Sequence, residues 1–314
     1  MINLHKNFPK ISVVIPVFRS EDSLTELSKR LVKSISAVTN SFEVIFVEDG
    51  SPDGCWDVIT EIARLDARFV GLRLSRNFGQ HPAIFAGIAH SAGEWVVVMD
   101  CDLQDLPEEI PNLYNKALEG FEQVVGVRSN RQDPLLKKLS SLLYLRLLSR
   151  LVGVPINTSV GNFGIYSRQV IDVIMSLGEQ GRTFSLLALW SGFTRYELEV
   201  EHGARPYGES SYSIKALIRL AFFGIINHSD KPLKLTLKSG ALLSLISFLY
   251  GAWTLIRQII WSQAPEGWAS VAVLISFSTG LITASIGVLG LYIGHIFAGV
   301  KNRPESVIWE STVS

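Results

Sequence analysis

Only two cysteines, Cys55 and Cys101, stand in 314 residues. They lie far apart in unrelated contexts, which excludes a disulfide framework and a thiolate zinc site and fits a reducing compartment. Acidic and basic residues balance at 29 each, so no net field draws the chain to nucleic acid. A basic stripe with interleaved aromatics is also missing, which counts against nucleic acid as a partner. Neither Gly-x-Gly-x-x-Gly nor Gly-x-x-x-x-Gly-Lys occurs, against a dinucleotide-dependent dehydrogenase or a P-loop NTPase. Residues 1–10 lack the apolar core of a secretory leader, so the polar part of the chain is expected to stay in the cytoplasm. Internal repeats and low-complexity linkers are absent as well.

Charge itself is missing from one region. Residues 1–230 carry it throughout, but it almost vanishes from Ser239 onward. Ser239–Ile256 and Gly267–Gly294 hold no charged residue, and each reaches the roughly 18 residues needed to span a bilayer. Buried core helices are the competing reading; two adjoining runs with a short turn between them argue against it. Lys231, Lys234 and Lys238 precede the first run, and Lys301 and Arg303 follow the second. The turn Trp261–Glu266 has no Lys or Arg, so the positive-inside rule places both ends of this hairpin, and both termini, in the cytoplasm of a bacterial inner membrane. Trp261 and Trp268 would sit at the opposite interface, and Arg257 would snorkel or pair. Two basic stretches, Pro134–Gly153 with Lys137, Lys138, Arg146 and Arg150, and Ser213–Ile226 with Lys215 and Arg219, read as amphipathic helices. They would either pack on the soluble domain or lie on the membrane surface.

Before these runs, short apolar segments alternate with helical patterns. Ile11–Phe18, Phe42–Val47, Phe69–Leu74, Trp95–Met99 and Gln123–Val127 read as strands. Ser23–Ser36, Asp53–Ala67, Pro82–Ser91 and Pro107–Leu118 read as helices. That alternation predicts a mostly parallel sheet with helices on both faces. Acidic residues follow the strand ends, at Glu21, Glu48–Asp49 and Asp100–Asp102, where open α/β sheets place their ligands.

Asp100-Cys101-Asp102 puts two carboxylates two residues apart after a strand, a set that suits Mg²⁺ or Mn²⁺ and leaves positions for substrate phosphates. By itself an Asp-x-Asp is also what a solvated turn looks like. Gln104 and Asp105 extend the polar cluster. Asp49 would accept from a base or ribose, or else Glu48–Ser51 simply caps the following helix.

Pro16–Glu21, Glu48–Asp53, Leu74–Gly79 and Asp100–Asp105, in this order, resemble the inverting glycosyltransferases of family two, with their GT-A fold. Within that family the chain looks most like the polyprenyl-phosphate group, which includes dolichyl-phosphate mannose synthase and the bacterial undecaprenyl-phosphate glucosyltransferases of the GtrB type. Arg205–Tyr212, Lys231–Leu233 and Lys301–Pro304 extend the resemblance over nearly the whole chain. It implies an α/β, Rossmann-like GT-A catalytic domain over 1–212 and a juxtamembrane amphipathic segment over 213–238. A transmembrane hairpin would follow over 239–300, with spans at 239–260 and 268–297, and then a cytoplasmic tail over 301–314 that could pack on the catalytic domain. Pro16, Phe18 and Glu21 would line a nucleobase pocket, Asp49 would hold base or ribose, and Asp100 would approach ribose and metal. Asp102 would be the principal ligand of Mg²⁺ or Mn²⁺, and Gln104 would lie near the donor sugar. Arg128 and Arg205 would face phosphates, for which a guanidinium fork is suited, and Ser210 would sit near the acceptor phosphate. A nucleotide-sugar, with UDP-glucose first among the options, would be the donor, a polyprenyl phosphate in the lipid bilayer the acceptor, and a homo-oligomer the assembly.

Two positions depart from the pattern. Where the group often has Thr-Gly-Asp-Phe-Arg, with that Asp proposed as base, this chain has Val160-Gly161-Asn162-Phe163-Gly164. Asn162 takes no proton at neutral pH. Ser211 replaces the usual Lys after Ser210. A sugar hydroxyl acceptor would need the missing base, whereas a phosphate monoester, with a second pKa of about 6, is already largely dianionic. The second reading is a non-catalytic membrane partner that binds or presents a glycolipid. A processive polysaccharide synthase fits less well, since two spans are few for a channel and the Gln-x-x-Arg-Trp motif is absent.

Overall fold

The structure, a computed structural model, describes residues 9–128, 160–177, 183–201, 203, 231–261, 267–301 and 303–313. The stretches at 134–153 and 213–226, with Arg205 and Ser210, lie outside the described residues. The chain divides into two units, one built on a sheet and including the residues from Arg303 onward, the other holding the apolar helices.

The sheet unit begins with β1 (Ile11–Val17), β2 (Phe42–Glu48), β3 (Phe69–Leu74) and β4 (Trp95–Val98), joined by α1 (Glu21–Ser36), α2 (Cys55–Leu65) and α3 (Gln80–His90). These strands are apolar almost without interruption because parallel strands are covered on both faces. A 3₁₀ turn at Pro107–Glu109 leads into α4 (Ile110–Ala117) and β5 (Gln123–Arg128). Then come β6 (Val160–Ser167), α5 (Arg168–Ser176), α6 (Phe184–Trp190) and β7 (Arg195–Val200). Beyond the apolar helices α7 (Lys231–Trp261) and α8 (Trp268–Val300), a last strand β8 (Ile308–Ser311) returns to the sheet.

Strand order is β7-β5-β6-β4-β1-β2-β3-β8. β1 pairs in parallel with β2 and β4, β2 with β3, and β5 with β7, while β6 is antiparallel to β4 and β5, and β8 to β3. The sheet is thus mostly parallel but mixed. Pro16 is tolerated in a central strand because the main chain of Val14 faces β4 and accepts from Met99, and β4's pairing ends at Val98. The ring of Pro16, two residues on, therefore replaces an N–H that would have no ladder partner.

Two cores cover the two faces. Ile11, Val13, Ile15 and Val17 pack with Leu24, Leu27 and Leu31 of α1 and Leu113 of α4. Val14, Ile45 and Val98 pack with Ile84 and Ile88 of α3 and Val170 and Ile174 of α5. Each such side chain contributes about 1.5–3 kcal/mol of burial, so the strand ends they fix are rigid mounts for side chains at the edge.

In the other unit α7 and α8 pack on each other. Both are long and apolar enough to cross a membrane, with windows at Leu233–Trp253 and Phe277–Gly294 that have mean hydropathies of 1.4 and 1.5. Neither window is buried, and Phe248, Ile275, Phe277 and Ile286 lie exposed, an apolar surface that calls for a non-aqueous cover.

Candidate active site

Four loops meet at the carboxyl edge of β1–β4, and hydrogen bonds tie them into a closed ring. After β1, the Arg19 N–H donates to Ser51 Oγ at 2.8 Å, and Glu21 Oε2 accepts from the Gly54 N–H at 2.8 Å, joining the first loop to the second. Asp49 joins the second to the third, because its two carboxylate oxygens accept from the main-chain N–H groups of Phe78 and Gly79 at 2.7 and 2.8 Å. Gln80 Nε2 donates to Asp100 Oδ1 at 2.6 Å, joining the third to the fourth. Ser23 Oγ donates to the Cys101 carbonyl at 2.7 Å and the Cys101 thiol to Ser20 Oγ at 3.1 Å, closing the circle.

Gly50 makes the second junction possible. Its φ is +62°, and a Cβ there would stand 2.4 Å from the Asn77 nitrogen and 2.6 Å from the Arg76 carbonyl carbon. Both are main-chain atoms, so only glycine admits this approach. Asp49 is only 3% exposed, and burial raises its pKa against the pull of the two N–H donors and of Arg76. Asp49 therefore organises the loops, and the base or ribose contact expected of it would use its remaining lone pairs. Glu48 is buried too, and burial raises its pKa; the Ser51 N–H and Arg73 oppose that shift. Burial also pushes the Cys55 thiol up to about 12 and the Cys101 thiol to about 11, so both are protonated, inert parts of the frame.

Phe18 projects from the first loop at 41% exposure with the Arg19 guanidinium 5.3 Å from its ring centroid, whereas Pro16 is buried in β1. Arg19 and Leu103 have φ values of +52° and +61°, uncommon for such side chains, and lie in the first and fourth loops. In the fourth loop Asp102 Oδ1 accepts from the Gln104 N–H at 3.1 Å, and Asp105 Oδ2 from the Asp100 N–H at 3.2 Å. Asp100, Asp102 and Gln104 are each half-buried. The Gly203 N–H donates to the Gln104 carbonyl at 2.9 Å, and a Cβ on Gly203 would lie 2.7 Å from the Leu103 carbonyl oxygen. Arg205 stands two residues further along the chain.

Among the described residues no group of three or more His, Cys, Asp or Glu is gathered as a metal site. As a donor set, the two carboxylates Asp100 and Asp102 suit a hard divalent cation that takes its other ligands from phosphate and water.

The reversal of β6 brings a further residue to this edge. Gly164 pairs with Val98, and two residues beyond on each strand lie Asn162 and Asp100. Asn162, half-buried, is therefore level with the Asp-x-Asp turn. The main chain of Arg128 ends β5 at the same edge, paired with Val200. Sequence reasoning missed Gln80, Ser20 and Gly203 as parts of this site. The Leu74–Gly79 motif was the signal for Gln80, which follows it directly.

Residues 12–175 match the family model for glycosyl transferase family 2. The chain is 34% identical to an undecaprenyl-phosphate 4-deoxy-4-formamido-L-arabinose transferase of Klebsiella pneumoniae, covering 95% of this chain and 92% of that protein. It is 35% identical to a bactoprenol glucosyl transferase of Shigella phage SfII, over 96% and 98%. A solved mannosyltransferase from Pyrobaculum calidifontis, in complex with GDP-Man and Mn²⁺, is 16% identical with a TM-score of 0.49, covering 94% of this chain and 87% of that chain. With the family model matched over residues 12–175 and relatives 34–35% identical along nearly all of its length, the chain belongs to glycosyl transferase family 2.

Proposed function

We propose that this enzyme transfers a single sugar from a nucleotide-sugar to undecaprenyl phosphate, or another polyprenyl phosphate, with inversion at the anomeric carbon, for modification of the cell envelope. The observation that carries this reading is the closed ring of loops presenting Asp100 and Asp102, in a chain that matches an undecaprenyl-phosphate sugar transferase and a bactoprenol glucosyl transferase over more than nine-tenths of its length.

Phe18 and Glu21, with Pro16 behind them, flank the nucleobase, and Asp49 holds the base or ribose. Asp102, assisted by Asp100, would hold Mg²⁺ or Mn²⁺, which would supply positive charge to offset that of the departing diphosphate. Gln104 lies beside the donor sugar. Arg128 and Arg205 bind phosphate oxygens, and Ser210 receives the acceptor phosphate. An oxygen of that phosphate attacks the anomeric carbon in line. The new carbon–oxygen bond forms as the bond to the nucleoside diphosphate breaks, and the diphosphate leaves with the electron pair. With a second pKa of about 6, the acceptor is already ionised, so Asn162 orients it or the sugar by hydrogen bonds and removes no proton. Positioning and charge stabilisation supply the rate.

The hairpin α7–α8 keeps the enzyme where a long prenyl chain resides. The basic residues at its ends favour the cytoplasmic face of a bacterial inner membrane, with both termini there. UDP-glucose is the first donor to try. The family resemblance extends the reading to a homo-oligomer.

Purified protein in detergent, supplied with Mg²⁺ or Mn²⁺, undecaprenyl phosphate and a panel of radiolabelled nucleotide-sugars, tests this directly. The expected product is one labelled, mild-acid-labile lipid with a single sugar. Donor binding without product from any donor would instead support a non-catalytic partner that presents a glycolipid, the reading that Asn162 favours.

A further inference from the structure

We propose that Arg73 is a positioning residue for the donor: the C-terminal strand β8 holds its guanidinium, Arg73 holds Glu48, and Glu48 fixes the second loop of the donor site. This rests on the donor reading above. The three charged residues form one lateral row, Glu48 on β2 opposite Arg73 on β3 and Arg73 opposite Glu310 on β8. Arg73 Nε lies 3.3 Å from Glu48 Oε2, and Arg73 Nη1 lies 3.6 Å from Glu310 Oε2. The guanidinium also sits near two indoles, 5.7 Å from the ring centroid of Trp56 and 5.1 Å from that of Trp309.

Glu48 is 1% exposed, and a carboxylate so placed is costly without a partner. Its Oε2 meets Arg73 as an ion pair with no better-formed hydrogen bond, while Oε1 accepts the Ser51 N–H. Ser51 in turn receives the Arg19 N–H beside Phe18. A line of contacts therefore runs from Trp309 and Glu310, through Arg73 and Glu48, to the two loops expected to enclose the nucleotide. Hydrogen bonds on either side of β8 seat it: the Thr312 N–H to the Gly71 carbonyl at 3.0 Å, the Gly71 N–H to Thr312 Oγ1 at 2.8 Å, and the Ser75 N–H to the Val307 carbonyl at 2.8 Å. A strand reached only after both apolar helices thus completes the frame of the donor loop.

The test uses the full chain in detergent with Arg73→Gln and Trp309→Ala, and Trp309→Phe as the conservative variant that keeps an aromatic face. Hydrogen–deuterium exchange of residues 49–54 is read alongside donor KM, acceptor KM and kcat. In Arg73→Gln and Trp309→Ala, exchange at 49–54 is expected to quicken about tenfold and donor KM to rise about tenfold, as loss of a partly buried cation–π and ion pair allows. Acceptor KM and kcat stay within about twofold, and Trp309→Phe restores most of the donor KM. Unchanged exchange at 49–54, acceleration spread evenly over the sheet, or a donor KM unmoved by a loosened loop overturns the proposal. If no nucleotide-sugar serves the wild type, the donor reading fails by itself, and the exchange data still decide whether β8 holds the loop.

Discussion

From β1 to β4 the strands run parallel and the four loops at their carboxyl edge are hydrogen-bonded to one another, whereas beyond β4 the chain reverses at β6 and its ladder with β5 shifts register between Val125 and Val127. The first half offers carboxylates mounted on a prebuilt ring. The second brings Asn162 and Arg128 to the same edge through strand register. On the proposed function this contrast is a division of labour: the half that would handle the diphosphate is tied together by its own hydrogen bonds, so donor binding energy would not be spent on ordering loops. The other half would then need only to orient an acceptor that arrives already charged.

The sharpest way to break this division is Asp102→Asn. If the parallel half carries the chemistry, turnover falls by at least about 100-fold, equivalent to about 3 kcal/mol of lost charge stabilisation, while circular dichroism and detergent extraction stay as in the wild type. Near-normal turnover would remove the metal assignment. Next in size is Gly50→Ala. A left-handed alanine costs about 1–2 kcal/mol before its collision with the main chain of Arg76 and Asn77 is counted. Urea unfolding should report at least that loss, together with weakened nucleotide binding. Equal stability would mean that the second and third loops are not locked together.

A smaller effect concerns pH. Burial raises the pKa of Glu48, so the folded state holds that proton more tightly than the unfolded state. Its contribution to stability is therefore fullest below the ordinary carboxylate value of about 4.3 and declines as pH rises through the raised value. Stability measured against Glu48→Gln, which has no proton to lose, should show the wild type falling relative to the variant across that interval. A difference independent of pH would contradict the burial argument. Least of all should Asn162→Asp matter. Transfer to a phosphate is expected to change by less than about tenfold, since a new base adds little to an ionised nucleophile. A gain of several orders of magnitude would show that the second half of the site lacks a base it needs.

The same contrast governs what could be read from sequence. β1–β5 and the helices among them were legible because buried parallel strands are continuous apolar runs set between periodic helices. β6 was not, since Gly161, Asn162 and Gly164 interrupt its apolar pattern. β7 alternates Arg195, Glu197 and Glu199 as an edge strand does, and β8 has only four residues, so neither announced itself. The carboxylates of the site were visible as residue types at strand ends. Their partners were not, because Asp49 and Glu21 accept from main-chain N–H groups, which leave no mark in a sequence. The row Glu48–Arg73–Glu310 depends on a pairing between β3 and a strand more than two hundred residues later, which no local pattern foretells.

The most direct measurement of the central claim is the chemical nature of both products of a single turnover on undecaprenyl phosphate, read by phosphorus NMR of the lipid and chromatography of the nucleotide. A lipid phosphodiester bearing one sugar of inverted anomeric configuration, with release of the nucleoside diphosphate, is the predicted result. A lipid diphosphate with release of the nucleoside monophosphate would show that the bond broken lies within the diphosphate, and would contradict attack at the anomeric carbon.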